Sequence, residues 1–112
     1  MITNQTQKFT IIKSEKVCKS IFCKAFGLMF RLKKPSEALV FVFGTERIVA
    51  LHMLFVFFPI DVLFLDKGQK VVDIKKDFKP FSYYSPKAKA MFVVELPTGV
   101  LGKTKIGDKI SF

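Results

Sequence analysis

Arg31, His52, Asp61 and Glu95 are ionisable side chains set in otherwise apolar surroundings. Asp61 lies in the run Ile60-Asp61-Val62-Leu63-Phe64-Leu65. On a strand it shares a face with Leu63 and Leu65, while Ile60, Val62 and Phe64 take the other. A carboxylate among aliphatic side chains must be ion-paired, accept backbone hydrogen bonds, or give up its charge. A buried pair with Arg31 or Arg47, the two arginines of the chain, is the structural expectation. The functional alternative is a perturbed carboxylate at the rim of a pocket. Glu95 closes the run Met91-Phe92-Val93-Val94 and stands before Leu96-Pro97-Thr98-Gly99. Its expected structural role is to accept N–H groups of the turn after Pro97. If Asp61 and Glu95 faced one cavity they could divide acid and base work in a small hydrolase or isomerase. Nothing in their spacing brings them together.

Other chemistry is thinner. His52, between Leu51 and Met53, is the sole imidazole. With Cys18 and Cys23 it cannot complete a zinc ligand set, so no metal is expected. No serine sits in a Gly-x-Ser-x-Gly context. Gly99-Val-Leu-Gly102-Lys103-Thr104 imitates the end of a phosphate-binding loop, but its glycines are three apart where that motif needs five. No cofactor is implied. Met29, Met53 and Met91 offer adaptable thioethers to an apolar ligand or fill gaps in a core. Tyr83 and Tyr84, with Phe78, Phe81, Lys79, Lys87 and Lys89, interleave rings and cations as a base-stacking surface would. Rings laid over the core explain the same pattern.

These residues need elements to hold them. Lys8 to Lys13 reads as a strand. Cys18, Ile21, Phe22, Ala25 and Phe26 recur at helical spacing, with Gly27 placed to end the helix. On a helix Cys18 and Cys23 point to different faces, beyond disulfide reach, so reduced thiols are expected. Ala38 to Phe43 is an apolar run of strand length closed by Gly44. Ile60–Leu65 and Lys70–Ile74 flank Asp66-Lys67-Gly68 and predict a β-hairpin whose glycine supplies a positive φ. Residues 77–86, with two prolines and four aromatics, read as an ordered loop. Ala90–Leu96 is another strand, residues 98–102 a helical turn and residues 109–112 a final strand. The expected fold is a mostly β, α+β single domain over residues 1–112. It is antiparallel and barrel-like, with one short N-terminal helix and a short C-terminal helical turn.

Composition sets the outer limits. A chain of 112 residues that is half apolar can fill one core and not two. The net charge of +10 rests on lysine, with no dense block of like charge. Lysine serves solubility and diffuse attraction to polyanions better than base reading, which favours arginine. Ile48 to Leu65 approaches bilayer-spanning length, but Pro59 and Asp61 interrupt it. A mid-membrane aspartate costs about 2.5–3.5 kcal/mol, so two strands parted at Pro59 are expected instead of a membrane span. The first ten residues show no secretory pattern, which with reduced thiols suggests the cytoplasm.

Four motifs occur in order: Gly27-Leu28-Met29-Phe30-Arg31, Phe58-Pro59-Ile60-Asp61-Val62-Leu63-Phe64, Glu95-Leu96-Pro97-Thr98-Gly99 and Gly107-Asp108. This order resembles the family called domain of unknown function 192, over roughly residues 17–112. The resemblance implies a compact β-rich domain and no established activity. Many members carry Trp-Met-Lys or Arg-Asn-Thr before the aspartate motif, where this chain has His52-Met53-Leu54-Phe55-Val56, an archaeal-type variant. A pocket there would be drier. The sequence therefore points to a non-catalytic module binding a small molecule or peptide, with Arg31, His52, Met53, Asp61, Glu95, Tyr83 and Tyr84 as the expected binding residues. Nucleic-acid binding through surface lysines and the aromatic loop is the first alternative, and an enzyme using Asp61 or Glu95 the second.

Overall fold

A computed structural model describes residues 1–19, 36–53 and 57–112. Ten strands follow in order: β1 (Ile2–Asn4), β2 (Phe9–Ile12), β3 (Glu15–Cys18), β4 (Ala38–Arg47), β5 (Leu51–His52), β6 (Ile60–Leu65), β7 (Val71–Phe78), β8 (Tyr83–Tyr84), β9 (Ala90–Pro97) and β10 (Ile110–Ser111). The apolar run of β6 is buried at every position, as a strand covered on both faces must be. It pairs antiparallel with β7 on one side and β9 on the other. The central sheet has the order β3-β4-β9-β6-β7, and β10-β1-β2 form a second sheet. β5 and β8 make a short separate pair. β3 runs parallel to β4, so no hairpin can join them, and residues 19–37 intervene.

Alternation along β6, β9 and β4 divides the core in two. Leu39, Phe41, Ile60, Val62, Phe64 and Val93 face Val49, Met53, Phe58 and Phe78. Val40, Leu63, Leu65, Val94 and Leu96 face Ile2, Ile11 and Ile110 of the second sheet. The expected split of β6 into two faces is what the packing shows.

Several expectations need correction. Among the described residues the sheets do not close into a barrel: the five-stranded sheet is open, with β3 and β7 as its outer strands. Among the described residues there is no helix. Cys18, expected on a helix, ends a strand and takes part in a disulfide. The helical geometry behind the reduced-thiol argument therefore fails at Cys18, and with it that support for a cytoplasmic location. The rest of the expected helix, with Cys23, lies outside the described residues. Residues 98–102 form turns rather than a helical turn, with Gly99 and Gly102 at φ values of 88° and 56°. A left-handed glycine stops helical hydrogen bonding before it can propagate.

The β6–β7 hairpin forms as expected but turns differently. Gln69, not Gly68, adopts the positive φ (63°). The Asp66 carboxylate accepts the N–H groups of Gly68 and Lys70, both at 2.9 Å. A side-chain acceptor fixing the turn explains why the strained residue can fall one position later. Three short strands escape sequence reading (β1, β3 and β8), the last inside residues 77–86 that read as a loop, because two to four residues carry too little periodicity to register.

Candidate functional site

The two carboxylates singled out by the sequence lie on opposite faces of the central sheet. Asp61 stands opposite Leu96, and Glu95 stands opposite Val62 on β6 and Leu39 on β4. Because side chains alternate, Asp61 shares its face with Leu63 and Leu65, and Glu95 shares its face with Val93. They line different pockets. The structure does not bring them together.

Asp61 is fixed by local backbone. Between Ile60 and Val62 the β6–β7 register shifts, and Asp77 on the bulged strand takes a φ of 51°. The bulge frees the Asp77 N–H from the ladder. One Asp61 oxygen accepts it at 2.8 Å, and the other accepts the Gly99 N–H at 3.0 Å. Asp61 thus does the work expected of Glu95, holding the turn after Pro97. The expected arginine pair is not made with Arg47, whose guanidinium lies 5.5 Å from the Phe43 ring centroid and bonds Thr45. Arg31 lies outside the described residues. Around Asp61 is an open hollow of about 410 Å³ that also touches Lys76, Thr98 and Gly102. Its carboxylate is already committed to two N–H groups.

Glu95 has a different environment. It lines a pocket of about 210 Å³ with Phe41, Phe43, Val49, Ala50, Leu51 and Val93. Among the described residues it is the one charged side chain of that lining. Glu95 is half-buried, and among the described residues no group donates a hydrogen bond to its carboxylate. Burial among apolar walls pushes its pKa up from 4.5 to about 7.

Of the remaining expected residues, Met53 and Tyr84 pack on this same face. Met53 is buried in the cluster with Phe41 and Val93, and its backbone is tied to Ser82 and Phe81. Tyr84 packs on Phe64 and Phe78 and donates its hydroxyl to Asp73 at 2.8 Å. Burial first, and that hydrogen bond to the Asp73 carboxylate second, raise the Tyr84 pKa. β5 carries His52 opposite Tyr83, and Tyr83 itself is 68% exposed. Met53 and Tyr84 therefore belong to the core that walls the Glu95 pocket, whereas Asp61 belongs to the other.

Sequence reading named Asp108 only within a motif and gave no role to the polar centre around it. Asp108 is buried and accepts from Asn4 at 2.9 Å, Gln7 at 2.8 Å and the Lys105 N–H at 3.1 Å. The hydrogen bond from Asn4, foremost, holds its carboxyl below the usual aspartate value. Asn4 also donates to Thr104. This network staples the N-terminal strands to the C-terminal turns, which a separation of about a hundred residues hides from local reading. Among the described residues no group of three or more His, Cys, Asp or Glu could hold a metal. No described helix is long and apolar enough to cross a membrane.

Comparison with known proteins places this geometry in a family. The model of DUF192, described as an uncharacterized ACR, matches residues 2–112. A UPF0127 protein of Pyrococcus horikoshii is 37% identical over 116 aligned positions, covering 100% of this chain and 98% of that protein. A UPF0127 protein of Pyrococcus abyssi is 32% identical over 100% of this chain and 97% of its own length. Two solved structures share the fold. A protein of unknown function from Novosphingobium aromaticivorans has a TM-score of 0.82 at 21% identity, covering 99% of this chain and 83% of its own. A putative transcription regulator from Sinorhizobium meliloti has a TM-score of 0.78 at 24% identity, covering 87% of this chain and 79% of its own.

Proposed function

Because the chain belongs to the DUF192 family, described only as uncharacterised, we propose from its own geometry that it is a binding module for a small, largely apolar molecule, held at Glu95. The observation that carries this reading is the Glu95 carboxylate, set in an apolar pocket without a hydrogen-bond donor from the described protein. A polar group so placed costs free energy that folding does not recover. A ligand donor would recover it, and apolar walls with one oriented polar group are the usual make-up of a small-molecule site. At about 210 Å³ the pocket suits a compact molecule or one end of a larger one. Phe41 and Phe43 provide flat apolar contact, and Glu95 sets orientation.

The enzyme alternative loses its paired carboxylates, since Asp61 and Glu95 face apart and Asp61 already accepts two backbone N–H groups. The nucleic-acid alternative retains one observation. Phe57, Phe81 and Tyr83 are 45, 58 and 68% exposed, and Phe57 and Phe81 stack edge to face at 5.7 Å. Exposed rings favour base stacking, although neighbouring Lys79 is paired with Asp77.

A fragment library screened by protein-observed NMR tests the reading. Binders should perturb Phe41, Val93 and Glu95, and Glu95→Gln should weaken hydrogen-bond-donating binders by about tenfold, equal to about 1.4 kcal/mol. If binders cluster instead at Phe57, Phe81 and Tyr83, or if none perturbs the Glu95 pocket, the reading fails.

A further inference from the structure

We propose that the groove between β7 and the turn at residues 104–106 is a second site, taking a small ligand with a multiply charged phosphate group and an apolar ring or chain. The groove is a wide, open depression of about 730 Å³ lined by Ile74, Lys75, Lys76, Tyr84, Thr104, Lys105 and Ile106. Three of its lining residues are lysines and none is acidic.

None of these lysines has an ion-pair partner among the described residues, where the pairs are Met1 with Glu15 and Lys79 with Asp77. The carboxylates nearby take their hydrogen bonds from neutral donors, and the Lys105 charge acts on Asp108 only beyond ion-pair distance. Asp73 accepts from the Tyr84 hydroxyl and the N–H groups of Ile74 and Lys87. Asp108 accepts from Asn4, Gln7 and the Lys105 N–H. The cations are also carried on fixed supports. Lys75 leaves a paired strand, and its ammonium sits 5.4 Å from the Tyr84 ring centroid. Lys105 leaves a turn pinned by Asp108. Ammonium groups carried on such supports at the rim of one groove suit phosphate as point charges.

The apolar half of the ligand has its own place. Ile106 is 63% exposed at the groove, with Ile74 half-buried beside it. An exposed isoleucine between lysines gains nothing from water but would gain from a ring or chain laid against it. Lysines on an outer strand also discourage edge-to-edge pairing. That duty needs charge alone, so it predicts no saturable site and no use for Ile106.

The test is calorimetric titration of the full chain with ATP and, separately, inorganic tripolyphosphate at moderate salt. Both should saturate at one equivalent. Lys75→Ser/Lys105→Ser should weaken both at least tenfold, Ile106→Ser should weaken ATP alone by severalfold, and Lys16→Ser/Lys19→Ser on and beside β3 should change neither. Circular dichroism on each variant confirms that the comparison is between folded proteins. Absence of saturation, equal losses from the Lys16/Lys19 variant, or tight binding of single-stranded RNA or anionic vesicles without competition by ATP would each overturn the proposal. It stands independently of the Glu95 pocket.

Discussion

The two faces of the central sheet solve the same problem in opposite ways. On one, Asp61 is buried in an aliphatic layer, and a β-bulge and a glycine turn bring two N–H groups to its oxygens. On the other, Glu95 is set among phenylalanines and valines and receives none from the described protein. Both come from adjacent strands of one sheet, one register step apart. A carboxylate supplied with backbone donors is a structural joint, because its charge is compensated wherever the chain is folded. A carboxylate left without them is free to respond to pH or to a bound molecule.

The largest expected effect tests the joint. Asp61→Ala removes the acceptor of two backbone N–H groups, each bond to a charged group being worth about 1.5–3 kcal/mol. Urea unfolding should show a loss of about 3–5 kcal/mol. A loss below about 1 kcal/mol would mean that water replaces the carboxylate and that the two faces do not differ in kind.

Next comes the pH response of Glu95. Its folded pKa, about 7, lies above the unfolded value of 4.5. Between these values the folded state holds the proton more tightly, so stability is greatest below about pH 4.5 and falls as pH rises through about 7. The loss should be on the order of 2–3 kcal/mol. Glu95→Gln should flatten that slope and leave the variant more stable than the parent at pH 8. Denaturation midpoints measured from pH 4 to 8 decide it, and an unchanged slope would place Glu95 in water.

Asp108 sharpens the comparison from the opposite side. Its folded pKa is depressed, so its contribution is present above its unfolded value of 3.8 and is lost as pH falls through the lower folded value. Asp108→Ala should cost about 2 kcal/mol at neutral pH by leaving Asn4 without its acceptor. The cost should shrink in acid, the reverse of the Glu95 trend. Asp66→Ala, at the exposed hairpin turn, should have the smallest effect, about 1 kcal/mol. A larger loss would show that turn formation, rather than burial, sets the value of such joints.

Residues with strong local signals were legible. The β6–β7 hairpin, the strand from Ala90 and the two-faced alternation of Ile60–Leu65 follow from runs of apolar residues bounded by turn formers. Glu95 and Asp61 were legible as awkward residues, because a charge in an apolar run is visible without coordinates. Their roles were exchanged in that reading: Glu95 was expected to hold the turn at Gly99, and Asp61 holds it. Which carboxylate meets that turn depends on pairing between β6 and β9 and on the bulge at Asp77, neither written locally. Cys18 misled for a related reason, since its spacing to Ile21 and Phe22 is helical while pairing with β4 makes Cys18 itself a strand residue.

By itself the sequence determined that this is one β-rich domain with a basic, lysine-covered exterior, because composition and two-residue alternation act over a few positions and need no distant partner. Only the tertiary structure decided which carboxylate is tied down and which is left open, that Asn4 meets Asp108, and that Lys75 and Lys105 border one groove. Those outcomes depend on strand order and register, and register is set by the summed packing of both core layers rather than by any single segment.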